Sequence, residues 1–293
     1  MYIATLIAAD RLARGDISAA SDLLALSGLA PVEWRWIENE VACDLLFDGK
    51  PALARSALEG IRPGIDVVVQ PEAHRVKRLL VADMDSTMIT IECIDELADY
   101  AGIKAQVAEV TEQAMRGELD FEGALDARVA LLRGLEEAVI DRCHEERVVI
   151  MSGAKALVRT MRAKGARSVL VSGGFTVFAD RVSREIGFHH AISNTLDIAD
   201  GRLSGTVARP IVGAAAKRAT LLSEAERLGI DLAQTLAIGD GANDIPMIEA
   251  AGLGVAYHAK PKTAAAADAR IDHGDLSALL YAQGYARKDW VID

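Results

Sequence analysis

The chain has 293 residues, a formal net charge of −11, and a composition that is 51% apolar and only 4% aromatic. So acidic a chain is poorly matched to nucleic acid or an anionic membrane, so a phosphorylated ligand would need positive charge supplied locally, by a metal ion and a few basic side chains. Cys43, Cys93 and Cys143 are odd in number and far apart, the N-terminus lacks a secretory signal pattern, and no stretch is long enough to span a membrane, so a soluble cytoplasmic protein with reduced thiols is expected.

Residues 1–72 read as a small separate domain. Residues 2–9 form a predicted strand, and 17–26 a short helix. Residues 31–37 and 41–47 follow as two strands turned at Glu38-Asn39-Glu40. A helix over 51–58 carries Pro51 in its first turn, where the missing N–H costs nothing, and residues 65–69 give a fourth strand. This order is that of a ferredoxin-like α+β split unit. It is similar to the ACT-type regulatory modules attached to amino-acid enzymes, which leaves an amino-acid effector, a homodimer contact or plain stabilisation open. The polar stretch 70–75, with Pro71, reads as a linker.

The main domain, residues 73–293, opens with a buried strand over 76–82. A charge-rich helical stretch follows to about residue 143, with Ile94, Leu97 and Ala98, and later Leu125, Val129 and Leu132, at helical spacing. A helical insertion over about 89–150 would sit as a cap above the sheet, where it can exclude water and recognise a substrate. Beyond it come a helix over 154–164 stopped by Gly165, a strand over 168–171 and a helix over 176–186. A further strand over 189–193 precedes a hairpin centred on Asp200-Gly201. A helix from Lys217 to residue 228, a strand over 235–238, a helix over 245–251, a strand over 253–257 and a helix over 275–281 complete the pattern. Strands alternating with helices imply an α/β, Rossmann-like core with a mainly parallel sheet covered on both faces.

The chemistry concentrates at strand ends. Asp83-Met84-Asp85-Ser86-Thr87 follows an apolar strand, and positions i and i+2 of an extended chain face the same side. Two such carboxylates repel unless a cation sits beside them, and a hard divalent ion, Mg²⁺, suits oxygen ligands and phosphate substrates. One carboxylate can then attack phosphorus while the other moves the proton. Taken alone the segment reads more readily as an ordinary turn, and the later motifs reverse that. Ser172-Gly173-Gly174, between a strand and a helix, offers a hydroxyl and open backbone N–H groups to an anion. Lys217 could balance phosphoryl charge, although most lysines at helix starts are solvated. In Gly239-Asp240-Gly241-Ala242-Asn243-Asp244 two glycines allow a sharp turn beneath a ligand. Asp240 would supply a further oxygen ligand there, with Asp244 ligating through water or orienting its neighbours.

Over roughly residues 76–285 these ordered motifs resemble the haloacid dehalogenase superfamily and, within it, its phosphoserine phosphatase family. Asp83 to Thr87 matches the DxDST signature and Gly239 to Asp244 the GDGxND signature, with Ser172-Gly173 and Lys217 between them in the expected order. The resemblance implies Mg²⁺-dependent hydrolysis of O-phospho-L-serine through an aspartyl-phosphate, the last step of serine biosynthesis. It implies Asp83 as nucleophile and Asp85 as general acid and base. Mg²⁺ would be held by Asp83, the backbone carbonyl of Asp85, and Asp240. Ser172, Gly173 and Lys217 would hold the phosphate, with Asn243 nearby. Glu92 would pair with the substrate ammonium and Arg128 would grip its carboxylate bidentately. Met115 and Phe121 match apolar cap positions that close over the ligand. Two other readings stay open: transfer of the phosphoryl group to another small alcohol, and a non-enzymatic receiver whose aspartate is phosphorylated to change a surface.

Overall fold

A computed structural model of the protein describes residues 1–116 and 118–292, the side chain of Met115 excepted. The first elements are β1 (Tyr2–Ala8), α1 (Arg14–Leu26), β2 (Glu33–Glu38), β3 (Ala42–Phe47), α2 (Pro51–Leu58) and β4 (Ile65–Pro71). β1 lies between β3 and β4, antiparallel to both, with β2 outside β3, which is the ferredoxin-like arrangement. Alternation along β1 explains the packing: Ala4, Leu6 and Ala8 join Leu24 and Leu58 of the two helices in one core. Thr5 faces the other way and donates to the buried Asp44, 2.8 Å away. The stretch read as a linker is tied down on that second face. Gln70 and Pro71 belong to β4, Arg75 grips Asp44 through its two terminal guanidinium nitrogens at 2.6 and 3.1 Å, and Gln70 donates to the carbonyl of Ala282.

The rest of the chain alternates. β5 (Leu79–Ala82) begins three residues later than predicted. Four helices follow it: α3 (Cys93–Tyr100), α4 (Lys104–Met115), α5 (Phe121–Leu131) and α6 (Ala138–Arg147). Next are α7 (Ala154–Ala163), β6 (Arg167–Phe175), α8 (Thr176–Ile186), β7 (His190–Asn194), the hairpin β8 (Leu196–Ala199) and β9 (Arg202–Val207), and α9 (Ala214–Leu228). The chain closes with β10 (Thr235–Gly239), α10 (Ile245–Ala250), β11 (Leu253–Tyr257), α11 (Pro261–Ala266), β12 (Ala269–Ile271) and α12 (Ala278–Ala282). The predicted hairpin turn is present, with Asp200 at φ 51° and Gly201 at φ 70°, the left-handed pair that a two-residue turn requires.

One ten-stranded sheet runs β2-β3-β1-β4-β12-β11-β10-β5-β6-β7. The six strands from β12 to β7 are parallel, and β12 meets β4 antiparallel at Arg270 and Val67, so the ferredoxin-like strands continue the parallel sheet. All four residues of β5 are fully buried, as expected of a strand covered on both faces. The strand order reverses between β5 and β10, and ligands of open α/β sheets bind in the crevice outside the carboxyl ends at such a switch. The segments entering and leaving the four inserted helices run side by side: the N–H of Met151 donates to Met88 and that of Thr90 to Val149, at 2.9 and 3.0 Å. Among the described residues no helix is long and apolar enough to cross a membrane.

Candidate active site

Asp83 and Asp240 each follow the last residue of neighbouring parallel strands, β5 and β10, so the sheet itself brings them together. The N–H of Asp83 donates to the carbonyl of Ile238 at 3.0 Å, fixing the strand end. Lys217, fully buried in the first turn of α9, places Nζ 2.6 Å from Asp83 Oδ1 and 2.6 Å from Asp244 Oδ1. It is thus a pinned ion-pair partner beneath Asp83, unlike the solvated lysine common at helix starts. Asp244 has no exposed surface and uses its second oxygen to accept from the N–H of Gly241 at 2.9 Å. Both its oxygens are committed, so it orients Lys217 and the 240–244 turn. Asp240 Oδ1 accepts from the Thr87 hydroxyl at 3.1 Å.

Ser172-Gly173-Gly174 departs from the expected strand-then-helix turn. β6 runs on to Phe175, and its pairing with β7 jumps from Val171–Ile192 to Phe175–Asn194, so the three residues form a bulge inside the strand. The first helical residue of α8 is Thr176, so an anion at this turn would meet the turn's own backbone and hydroxyl instead of a helix end. Ser172 Oγ accepts from the N–H of Gly174 at 2.8 Å. A methyl group on Gly174 would lie 3.1 Å from Asp85 Oδ2, so this bulge and the first motif are in close contact.

A cavity of about 380 Å³ opens above these strand ends. Asp83, Asp85, Asp240, Asn243, Ser172 and Gly173 line its floor, and Glu92, Phe121 and Arg128 line its cap side. Glu92 accepts from the Ser86 hydroxyl at 2.7 Å, and Ser86 holds the left-handed φ of 56° that turns the chain back over the site. Arg128 donates from Nε to the carbonyl of Ala124 at 3.2 Å and lines the cavity together with Asp95, Glu92 and Asp85. Burial lowers its pKa and those three acids raise it. Met115 closes α4, and its side chain lies outside the described residues. Lys217 and Asp244 sit below the cavity floor and reach it through Asp83.

Three contributors escaped the sequence reading. Asp95 and Lys260 line the cavity but belong to no motif. Asn194, 1% exposed, donates to the carbonyls of Gly173 and Val212 at 2.9 and 3.2 Å and accepts from the N–H of Val212 at 2.7 Å. Only its place opposite the bulge marks it, and that needs the strand register.

The electrostatics call for a cation. Burial, then Asp244, push the Asp83 carboxyl well above the usual range against the pull of Lys217. Burial and Glu92 raise Asp85 to about 7, and burial and Asp244 raise Asp240 to about 6. Burial alone would lower Lys217, but Asp83 and Asp244 outweigh it and keep the ammonium charged. Oxygens of Asp83, Asp240 and Asp244 all lie within 4.8 Å of one another. Octahedral Mg²⁺, with oxygens at about 2.1 Å, sets neighbouring ligand oxygens about 3 Å apart and opposite ones about 4.2 Å apart, so these carboxylates would have to draw in only slightly around the ion. With Asp244 committed elsewhere, Asp83, Asp240 and the backbone carbonyl of Asp85, which accepts no hydrogen bond among the described residues, form the fitting donor set.

The model of the haloacid dehalogenase-like hydrolases matches residues 80–249. A phosphoserine phosphatase of Streptomyces coelicolor is 46% identical over 242 residues; the match covers 82% of this chain and 59% of the relative, so the chain spans under two thirds of that protein. A HAD-family hydrolase of Salmonella enterica serovar Typhi superimposes with a TM-score of 0.85 at 30% identity, covering 96% of this chain and 98% of the other. The unliganded structure of a probable phosphoserine phosphatase from Vibrio cholerae gives 0.77 at 34% identity, covering 98% and 87%.

Proposed function

The chain belongs to the haloacid dehalogenase-like hydrolase family, and we propose that it hydrolyses O-phospho-L-serine to L-serine and orthophosphate. The observation that carries the reading is the convergence of Asp83, Asp85 and Asp240 at the switch point, beneath a cavity that also presents Glu92 and Arg128. That pairing of one acid and one guanidinium suits a zwitterionic amino acid: the carboxylate of Glu92 faces the ammonium and Arg128 the carboxylate. The similarity to named phosphoserine phosphatases points the same way.

In this mechanism an oxygen of Asp83 attacks phosphorus and the bond from phosphorus to the serine oxygen breaks. Asp85, held up to about 7 by burial and Glu92, has its proton available and gives it to the departing alkoxide. The phosphoryl group is then joined to Asp83 as an acyl phosphate, a mixed anhydride. Asp85, now a carboxylate, takes a proton from water; the water oxygen attacks phosphorus and orthophosphate leaves, restoring Asp83. Ser172 and the N–H groups of the bulge hold the phosphoryl oxygens, and Lys217 offsets charge on Asp83 from below. Asp83, Asp240 and the Asp85 carbonyl would hold Mg²⁺, which would supply the neutralisation that lets an anion approach a phosphate.

The test is phosphate release from phosphoserine, phosphothreonine, phosphoethanolamine and sugar phosphates, with Mg²⁺ and with EDTA, and with alcohols added as acceptors. Preferred, Mg²⁺-dependent release from phosphoserine is expected. A new phosphoester in place of free phosphate would make the protein a transferase, and a single turnover would make it a receiver.

A further inference from the structure

Asn194 stands at the end of β7, behind the bulge and away from the cavity. Its amide joins two segments far apart in sequence: the bulge, through the carbonyl of Gly173, and the 208–213 strand exit, through both the N–H and the carbonyl of Val212. Those two segments form a slot. A methyl group on Gly173 would lie 3.1 Å from the ring of Phe121, and one on Gly213 3.0 Å from the same ring. The first residue of α5 is therefore wedged between two glycines whose spacing Asn194 sets. Arg209 closes the outer side, paired with Glu122 at 3.3 Å and with Asp126, both on α5.

We propose that Asn194 is a positioning residue that makes the Ser172–Gly174 turn and the Phe121 slot one unit, so that docking of the α5 end of the cap and the shape of the anion-holding turn are set together. The inference rests on that turn being the phosphate seat of the reaction proposed above. A substrate that straightens the turn also opens the slot to Phe121, and an undocked Phe121 leaves the turn free to relax. The quantity held fixed is a distance between two backbones, which is why a fully bonded amide and two residues without side chains are used here.

The experiment compares Asn194→Ala, Gly213→Ala and the double variant in the full chain with Mg²⁺. Readouts are KM for phosphoserine, Ki for orthophosphate as competitor, and hydrogen exchange of residues 121–131. Gly213 has φ −126°, which alanine adopts freely, so its added methyl challenges the slot alone. Asn194→Ala should raise both KM and Ki about tenfold, the cost of about one hydrogen bond, and speed exchange in α5. Gly213→Ala should raise KM, speed exchange and, because the displaced ring lets the turn relax, raise Ki in the same direction, and the double variant should fall short of the product of the single effects. An unchanged Ki in Asn194→Ala, or fully multiplicative effects on KM, would overturn the proposal. If the wild-type protein leaves phosphoserine untouched, the function above fails; the exchange readout then decides, and unaltered protection of α5 in Asn194→Ala refutes the coupling.

Discussion

A methyl group on Gly239 would lie 2.3 Å from Cγ of Asp244. The end of β10 therefore has no room for any side chain, because the carboxylate that pins Lys217 fills the space above it. Gly239→Ala should push Asp244 off Lys217 and let the ammonium swing from Asp83. Overpacking of this kind costs about 1–3 kcal/mol. A lower unfolding midpoint together with at least a tenfold loss of kcat is the expected outcome, with stability read by urea titration and turnover by phosphate release. An alanine variant with wild-type kcat would show that Asp244 does not govern the site.

In the proposed reaction Asp83 and Asp85 divide the chemistry, and the leaving group separates their roles. Asp83→Asn should abolish turnover of every substrate. Asp85→Asn should slow phosphoserine by a factor on the order of 10² or more, the usual scale of proton transfer help. Aryl phosphates such as p-nitrophenyl phosphate, whose leaving group departs without a proton, should lose far less in the first step. A pre-steady-state burst of p-nitrophenol from Asp85→Asn, followed by slow turnover, is the expected trace. Equal slowing of the burst and of phosphoserine hydrolysis would remove Asp85 from leaving-group protonation.

What the sequence made legible is what short segments determine. Asp83 and Asp85 fall two apart on one strand end, and the glycines around Asp240 announce a turn. Asp200-Gly201 marks a hairpin whose φ values are both positive. What stayed hidden depends on register and long-range pairing. The bulge at Ser172–Gly174 exists only because β7 pairs past it, and Asn194 takes its role from partners 18 and 21 residues away. The union of the two predicted parts in one sheet rests on Arg270 meeting Val67, across a three-residue strand too short to announce itself. Lys217 looked like any helix-start lysine because burial, which distinguishes it, is a property of the finished core.

Arg128 can be tested by subtraction on the ligand. Phosphoserine carries a carboxylate that phosphoethanolamine lacks, and a charge-assisted pair of hydrogen bonds is worth about 1.5–3 kcal/mol. Arg128→Ala should therefore lower kcat/KM for phosphoserine by at least about tenfold and change that for phosphoethanolamine by less than threefold. Equal losses for both substrates would assign Arg128 to cap packing, since it also bonds the Ala124 carbonyl.

Lys77 offers a test of stability far from the chemistry. It is 2% exposed, donates from Nζ to the carbonyl of Ala233 at 3.0 Å, and lies just before β5. Burial pushes its pKa down to about 8, with Asp268 opposing. Below pH 8 the lysine is charged both folded and unfolded, and the folded state bears the full cost of the buried ammonium. Between pH 8 and the ordinary lysine value of 10.5 the unfolded chain binds more protons than the folded one, so this residue's contribution to stability rises with pH. Lys77→Met has no such term. The stability of wild type relative to Lys77→Met, from urea unfolding at pH 7 and pH 10, should shift toward wild type at the higher pH by on the order of 2–3 kcal/mol. A difference that stays constant across the window would mean that the Lys77 ammonium remains as well solvated in the folded chain as in the unfolded one.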